Sequence, residues 1–271
     1  MKLRDKVALV LGAIKGIGKG IGLALAKAGV KVALNYFDWE ESLEDLKQDF
    51  ANTGKEHLII KTNLLETDKI QRLIKNVVDR FGRLDILINN IERSGWPIIH
   101  GAYIQKQWDL EMETTLRAKQ WIFESSLPHL KASGDGVVIN FSSIAAIVGR
   151  SGPASLIFND GYAAANRGIS LLTETWARIG APEVRVNEIM LGFFETRHGE
   201  RTRGWEILSN YQKESLMNHT LLGRTGTIED VVKAVLFILK DAPFMTGSLL
   251  RLDGGYVFGG EKVEPMPKGI L

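Results

Sequence analysis

Tyr162 and Asn166 lie in the segment YAAANRG (162–168), inside a run that is typical of a long buried helix. They are four residues apart, so their side chains are predicted to share one helical face. A tyrosine placed in this way can act as a general acid or base on a substrate oxygen. A neighbouring cation would favour its phenolate form, but an asparagine cannot supply that charge. The pair therefore predicts either an altered acid/base site or a site that has lost its activity.

A second pattern with chemical meaning is the glycine series Gly12, Gly16 and Gly18 in the segment LGAIKGIGKGIG. It follows a strand-like run and opens a helix-like one. Glycines at such a junction permit a tight turn and let the backbone approach a pyrophosphate, which then lies at the helix N-terminus. The alternative is that they only pack a helix against a strand. The context favours a dinucleotide site.

Strand-like and helix-like runs alternate along the chain, and these elements must position the two patterns. Continuous apolar runs suit strands buried on both faces. The alternation predicts the α/β class, as a single-domain, Rossmann-type, doubly wound parallel sheet with three α/β/α layers. The first helix is expected from about Gly18 to Ala28. The predicted strands are KVALVLGA, KVALNYF, HLIIKTNL, LDILINN, GVVINFSS, VRVNEIML and SLLRLDGG. A further helix, DKIQRLIKNVVDRFG, has the apolar face Ile70, Leu73, Ile74, Val77, Val78 and Phe81.

Composition narrows the classes of function. The 271 residues are 45% hydrophobic and 24% charged, as in ordinary globular proteins. The net charge is +2 and the basic residues form no run, so no nucleic-acid partner is expected. The chain has no cysteine and its five histidines lack metal-ligand spacing, so no metal site is predicted. Because no apolar run could span a membrane, no membrane partner is expected and a cytoplasmic location is predicted.

Two segments interrupt the alternation, at 149–160 and at about 193–224. Both follow strands, so they are expected at the carboxyl edge of the sheet, where ligands bind in such folds. They are candidate walls or a lid for a substrate, or else surface insertions. The aromatic residues of the second segment indicate either an apolar pocket wall or simple packing; they are Phe193, Phe194, Trp205 and Tyr211.

Over about residues 4–258 the chain resembles the short-chain dehydrogenase/reductase (SDR) family. The resemblance implies a Rossmann-type dinucleotide site, carbonyl/alcohol redox chemistry and a homo-oligomer, either a tetramer or a dimer. It also divides the chain into a domain at 1–258, which includes a substrate lid at about 193–224, and a C-terminal tail at 259–271. The matching pieces are the glycine loop, NN at 89–90, INFSS at 139–143, the Tyr162 helix, VRVNEIMLG, LGRTGTIEDV and DAPFMTGSLLRLDGG.

The resemblance also assigns roles to individual residues. Ser143 would hold the substrate oxygen, and Tyr162 would exchange a proton with it. Asn166 stands at the position of the family's catalytic lysine, and Thr115 at that of its helper asparagine. The residues that match the family's cofactor site are Gly12, Lys15, Gly16, Ile17, Gly18, Tyr36, Asn63, Leu64, Asn89, Asn90, Ile91, Gly192 and Thr196.

Other positions also depart from the family pattern. The motif NNIE places Ile91 and Glu92 where small residues normally let the cofactor approach. Leu11 replaces the usual threonine and Leu191 the usual proline. The interval between the catalytic serine and tyrosine is longer than the family habit, which requires an inserted loop.

The choice of cofactor depends on the end of the second strand. NAD-preferring relatives have an acid there, whereas this chain has Tyr36, and Asp38 lies past the contact. Lys15, in the glycine loop, can reach a 2′-phosphate. NADP(H) is therefore expected to be favoured over NAD(H).

Three functions remain open. The first is NADP(H)-dependent reduction of a small-molecule carbonyl compound, with Tyr162 as the acid. An unassisted tyrosine has a pKa of about 10, so the phenol that reduction needs is abundant and the phenolate that alcohol oxidation needs is scarce. The second is a non-catalytic dinucleotide-binding sensor or subunit, favoured by Asn166 and Thr115. The third is a module that has lost its cofactor, with Ile91 and Glu92 filling the site.

The missing cation has a possible substitute in Lys119. It follows Thr115 by four residues in EMETTLRAKQWIF, which is typical of a helix, so the two share a face. The alternative is that Lys119 is solvated or lies at a subunit interface, as charged helix residues usually do. Arg167 is a weaker candidate, because adjacent helical positions point about 100° apart.

Overall fold

A computed structural model describes residues 1–92, 104–194, 196, 208–261, 263–267 and 269. Its centre is one seven-stranded sheet in the order β3-β2-β1-β4-β5-β6-β7, with parallel pairing throughout. The predicted Rossmann-type fold is confirmed. The direction of winding reverses between β1 and β4, and ligands bind beside such a switch point. The strands are β1 Val7–Val10, β2 Lys31–Tyr36, β3 His57–Lys61, β4 Ile86–Asn89, β5 Gly136–Ser143, β6 Val184–Leu191 and β7 Leu249–Leu252.

Helices cover both faces of this sheet. On one face, α1 and α9 pack together through buried aliphatic residues, and on the other α3, α5 and α7 do so. The apolar face predicted for α3 is confirmed, and α1 begins two residues earlier than expected. The helices are α1 Gly16–Lys27, α2 Leu43–Thr53, α3 Thr67–Phe81, α4 Gln105–Glu111, α5 Ala118–Ala132, α6 Ala145–Val148, α7 Asp160–Gly180, α8 Asn210–His219 and α9 Ile228–Lys240.

A π-helical turn, Met112–Arg117, joins α4 to α5. The sequence predicts continuous helix here, and the turn adds a local widening of the kind often found at functional sites. It packs against α7, where a Cβ added at Gly168 would lie 2.9 Å from Leu116 Cδ1. The small glycine therefore lets the turn approach closely. Within the turn, the side chain of Thr115 is completely buried.

The two interrupting segments are packed against the body of the protein where they are described. In the first, the turn Gly152–Leu156 is held by the backbone N–H of Ala154, which donates to the Tyr256 hydroxyl at 2.8 Å. In the second, Phe193 and Phe194 are buried. Tyr211 is exposed, so it supplies no wall to a buried pocket, and Trp205 lies outside the described residues. No helix in the described ranges is both long and apolar enough to cross a membrane.

Candidate active site

The glycine loop between β1 and α1 is held close to the end of β4. Gly12 has a φ of +61°, and a Cβ there would lie 2.4 Å from the Asn90 carbonyl oxygen. A Cβ on Gly18 would lie 2.3 Å from the Gly12 carbonyl oxygen. The Asn90 side chain donates to that same oxygen at 3.2 Å. This turn therefore has no room for side chains, as a cradle for a pyrophosphate requires.

The segment after β6 reaches the same loop. A Cβ added at Gly16 would lie 3.8 Å from the Thr196 side chain. Gly192 lies so close to Asp253 that a Cβ there would be 2.7 Å from its Cα. The structure thus brings Thr196 beside the glycine loop, as the resemblance implies for a cofactor site. Ile17 is partly buried against the sheet.

A lysine and a tryptophan meet at the end of β2. The Lys15 ammonium lies 2.9 Å from the centroid of the Trp39 ring, a cation–π contact. Tyr36 ends the strand and is buried, whereas Asp38 is exposed. The strand therefore ends in a tyrosine and not in an acid. Lys61 of β3 lies opposite Tyr36 and pairs with Glu40, while Lys15 of the glycine loop lies on the Trp39 ring.

Three other residues of the predicted cofactor site have local structural contacts. Asn63 accepts from the Leu65 backbone at 3.1 Å and donates to Glu66 at 2.9 Å, which closes the turn before α3. Asn89 donates to the Asn140 side chain at 3.1 Å. Leu64 is buried, and Ile91 packs against the helix layer that contains α3 and α5.

Tyr162 occupies the first turn of α7, and the helix cap fixes its position. The Asn159 side chain accepts from the Tyr162 backbone N–H at 2.8 Å and donates to Glu111 at 2.6 Å. A cap of this type satisfies backbone donors that the helix leaves free. The Tyr162 ring packs on Phe158, with centroids 5.7 Å apart. The cap and the ring packing together fix the position of the phenol ring.

The Tyr162 hydroxyl donates to the Glu92 carboxylate at 2.6 Å. Glu92 follows β4, so the contact joins the end of that strand to α7 across the carboxyl edge of the sheet. The sequence marks Glu92 as a departure in NNIE but does not indicate this partner. A carboxylate in contact with a phenol stabilises the protonated phenol, because a phenolate beside it would place two negative charges together.

The other predicted catalytic residues lie on elements that pack against the helix of Tyr162 or belong to it. Ser143 ends β5, which packs on α7, and its Oγ accepts from the Ala145 backbone N–H at 3.2 Å. Ala145 shares an apolar cluster with Tyr162. Asn166 donates to the Tyr162 backbone carbonyl at 2.9 Å. Its Oδ1 is buried and has no hydrogen-bond partner in the described ranges. Thr115 belongs to the π turn that packs on the same helix.

Lys119 is buried, so the solvated alternative is wrong. Its side chain is 0% exposed and its ammonium donates to the Phe141 carbonyl at 2.5 Å. Burial lowers the pKa of Lys119 to about 8, and the charges of Glu92 and Glu188 oppose that shift. The four-residue spacing predicted that Thr115 and Lys119 share a helical face. Both side chains are buried in the structure.

Glu188, on β6, is buried and is the second carboxylate whose charge acts on Lys119. It accepts from the hydroxyls of Ser142 and Ser170, the latter at 3.0 Å. Burial raises the pKa of Glu188, and the two serine hydrogen bonds together with the charges of Lys119 and Arg167 oppose that rise. Glu188 was not predicted from the sequence, because a single glutamate inside an apolar strand has no characteristic spacing.

Comparison with known proteins decides the family. A family model described as enoyl-(acyl carrier protein) reductase matches residues 12–257. The chain is 31% identical to 3-oxoacyl-[acyl-carrier-protein] reductase FabG of Staphylococcus aureus strain Mu50 over 252 residues, 92% of this chain and 97% of the relative. It is 30% identical to the FabG reductase of Thermotoga maritima over 262 residues, 95% of this chain and 100% of the relative.

The chain belongs to the short-chain dehydrogenase/reductase family. As an SDR protein it is an oxidoreductase. The fold agrees with a crystal structure described as a short-chain alcohol dehydrogenase of Sinorhizobium meliloti 1021. That structure has a TM-score of 0.82 and 24% sequence identity, and the match covers 94% of this chain and 98% of the other.

The residues of the site can be compared with what the nicotinamide dinucleotide of SDR enzymes requires. The glycine turn excludes side chains where a pyrophosphate lies, and Thr196 borders it. Lys15 supplies a cation near the end of β2. Asn166 Oδ1 is a buried acceptor without a partner in the described part of the chain, an atom that a ribose hydroxyl can satisfy. These residues fit the cofactor.

Proposed function

We propose that this SDR protein is an NADP(H)-dependent reductase of small-molecule carbonyl compounds. The observation that carries the proposal is the buried Tyr162 phenol, whose hydroxyl meets Glu92 at the carboxyl edge of the sheet. Ligands of doubly wound sheets bind at this edge. The glycine loop opens on the same edge, after β1, the second neighbour of β5 in the sheet. The proton donor and the glycine loop therefore lie at the same edge of the sheet.

The chemistry divides between cofactor and protein. NADPH, when bound, supplies the hydride for the carbonyl carbon. Tyr162 donates its proton to the carbonyl oxygen, which becomes the alcohol hydroxyl. Ser143 holds that oxygen through its own hydroxyl, and Asn166 binds a ribose hydroxyl through its unpaired Oδ1. Thr115, at the position of the family's asparagine, belongs to the π turn that packs on α7.

Reduction is the favoured direction. The Glu92 carboxylate disfavours a phenolate at Tyr162, and Asn166 adds no positive charge at the usual lysine position. Alcohol oxidation needs a phenolate to remove a proton, whereas carbonyl reduction needs only the neutral phenol. The same contact that would impair a dehydrogenase therefore suits a reductase.

The preference for NADP(H) rests on charge at the end of β2. A carboxylate there would repel a 2′-phosphate, but the strand ends in Tyr36. Lys15 can pair with the 2′-phosphate, and its contact with the Trp39 ring holds its ammonium group near the end of β2. A charge-assisted contact of this kind contributes about 1–3 kcal/mol.

The first substrates to test are 3-oxoacyl thioesters, because both FabG relatives reduce substrates of that class by name. Tyr162 itself belongs to a buried apolar cluster that also includes Phe158, Met190 and Phe193.

A second function has one specific observation in its favour. The bond from Tyr162 to Glu92 occupies the phenol, as expected if the site only senses a bound dinucleotide. In that case NADPH binds but no carbonyl compound is reduced.

Calorimetric titration with NADPH and NADH, followed by assays on a panel of 3-oxoacyl thioesters, ketones, aldehydes and alcohols, separates these functions. We expect tighter NADPH binding, reduction of at least one carbonyl compound, and loss of that activity in Tyr162→Phe with NADPH binding retained. Binding without turnover of any panel member supports the sensor. Absence of binding by both cofactors contradicts both functions.

A further inference from the structure

Two departures from the usual SDR site, Asn166 and Glu92, and one buried lysine are linked to the same tyrosine. Asn166 removes a cation from α7, Glu92 adds a carboxylate at the phenol, and Lys119 adds a buried ammonium on α5. The Lys119 charge interacts with that of Glu92, and Glu92 bonds the Tyr162 hydroxyl. The charge missing from α7 is therefore present on α5, and Glu92 interacts both with that charge and with the phenol.

We propose that Glu92 and Lys119 together replace the absent lysine: Glu92 returns the proton that Tyr162 gives up, and Lys119 is the positioning cation that balances Glu92. This inference rests on the proposed reductase function. Glu92 touches the reacting hydroxyl and is the catalytic member of the pair. Lys119 acts only through Glu92.

Each turnover moves one proton from solvent to the substrate oxygen through Glu92 and Tyr162. In reduction the O–H bond of Tyr162 breaks and its proton joins the substrate oxygen, leaving a phenolate. A proton on the Glu92 carboxyl group, taken up from solvent, then moves to the phenolate oxygen and restores the phenol. Glu92 is only partly buried, so it can exchange protons with water, which the fully buried Lys119 cannot do directly.

Lys119 makes this route possible by its charge. A phenolate formed beside an ionised Glu92 would place two negative charges within hydrogen-bond distance, and a nearby buried cation offsets that repulsion. With a pKa of about 8, Lys119 remains mostly protonated at neutral pH. The Phe141 carbonyl fixes the ammonium beside β5, two residues before Ser143.

A purely structural role for Lys119 would involve the other carboxylate. Glu188 also acts on Lys119, but it is held by Ser142 and Ser170, and Arg167 interacts with it as well. If Lys119 served only to neutralise Glu188, changing Glu92 would leave the role of Lys119 unaltered. The variants must therefore distinguish the effect of Glu92 from the effect of Glu188.

The first experiment follows phenolate absorbance in the cofactor-free protein as pH rises. Subtracting the Tyr162→Phe titration in each background isolates the Tyr162 signal. Glu92→Gln should ionise Tyr162 at a pH lower by about half a unit or more, because a neighbouring negative charge is lost. Lys119→Gln, which keeps a donor for the Phe141 carbonyl, should shift the ionisation upward. Lys131→Met, on the exposed side of α5, and Glu188→Gln should change it less than either.

The second experiment measures reduction against pH. Glu92→Gln and Lys119→Gln should each lower kcat by about tenfold or more, with the KM for the carbonyl substrate within about twofold of the wild type. Adding Asn166→Lys to Lys119→Gln should restore turnover, and Lys131→Met should keep wild-type kinetics. Circular dichroism and thermal unfolding show whether each variant is folded.

The results separate the two proposals. If folded Glu92→Gln and Lys119→Gln leave the Tyr162 ionisation unchanged, or if only Glu188→Gln alters it, the relay is wrong whatever the activity. If the ionisation shifts as expected but the wild type reduces no carbonyl compound, the electrostatic link stands, whereas the proton-return role and the proposed function both fail.

Discussion

The Tyr162 hydroxyl donates to Glu92 at 2.6 Å, and this contact joins two residues that are 70 positions apart in the sequence. It places a carboxylate where SDR enzymes of the usual type rely on a nearby cation. A carboxylate in contact with a phenol favours its protonated form, and the direction of the reaction that we propose follows from this contact.

The two directions of the reaction should respond differently to pH. We expect reduction of the best carbonyl substrate to be measurable near neutral pH, whereas oxidation of the matching alcohol is poor and rises toward pH 10, near the ordinary pKa of a phenol. Initial rates in both directions over that range, with NADPH and NADP, test this. An oxidation rate that is already level at pH 8 would mean that another group supplies the base.

Tyr162→Phe removes the hydroxyl but keeps the ring that packs on Phe158. Loss of a general acid typically lowers the rate by about 100-fold or more. We expect that loss in kcat while the dissociation constant for NADPH and the thermal unfolding midpoint remain close to the wild type. A variant that keeps more than a tenth of the wild-type kcat would show that Tyr162 is not the proton donor.

The fold followed from the sequence because its signals are local. Apolar runs of strand length, separated by amphipathic helices, need only their own neighbours in the chain to be recognised. All seven predicted strands are present, and the apolar face expected for α3 is buried. The π turn at Met112–Arg117 was not predicted, because it depends on how closely α7 approaches at Gly168.

The candidate site was predictable only in part. Ser143, Tyr162, Asn166 and Thr115 were located by resemblance, and the structure places them around α7 and the end of β5. The partner of Tyr162 could not be predicted, since a contact between a strand end and a distant helix leaves no periodicity in the sequence. The charges that act on Lys119 likewise come from distant parts of the chain, from Glu92 after β4 and from Glu188 on β6.

Cofactor preference should depend on Lys15. We expect NADPH to bind more tightly than NADH, and Lys15→Ala to narrow the difference by about 1–2 kcal/mol, the scale of one charge-assisted contact. Lys27→Ala is the matched control, because it removes the same charge from the exposed end of α1. Calorimetric titration of all three proteins with both cofactors measures the effect. Equal affinities of the wild type for NADPH and NADH would contradict the prediction.

Two glycines with the same φ allow a test of how tightly the glycine loop is packed. Gly12 and Gly54 both have a φ of +61°, but a Cβ at Gly12 meets the Asn90 carbonyl oxygen at 2.4 Å, whereas Gly54 is open. Gly54→Ala should cost about 1–2 kcal/mol for the left-handed conformation alone. Gly12→Ala should cost a further 1–3 kcal/mol or so, because the backbone must shift, and should weaken NADPH binding. Urea unfolding measures the loss of stability in each variant, and titration with NADPH measures the loss of affinity. Equal losses of stability would mean that the backbone around Gly12 can shift without cost.

The buried charge of Lys119 should make stability depend on pH in a defined window. Its pKa falls from 10.5 to about 8 on folding, so between those values the unfolded chain binds more protons than the folded protein. Stability therefore rises with pH across this window, and the contribution present above pH 10.5 is lost as pH falls through about 8. A shift of this size corresponds to roughly 3 kcal/mol.

Lys119→Met removes that contribution, so the free energy of unfolding of the wild type minus that of the variant should increase by about 2–3 kcal/mol from near neutral pH to about pH 10. Taking the difference removes effects common to both proteins, including that of Tyr256, whose pKa burial raises to about 12. Lys131→Met, at an exposed position of the same helix, should give a difference that does not vary with pH. Urea unfolding at several pH values measures all three. A Lys119 difference that is equally flat would mean that the ammonium is solvated in the folded protein, and Lys119 could then not serve as the cation of this site.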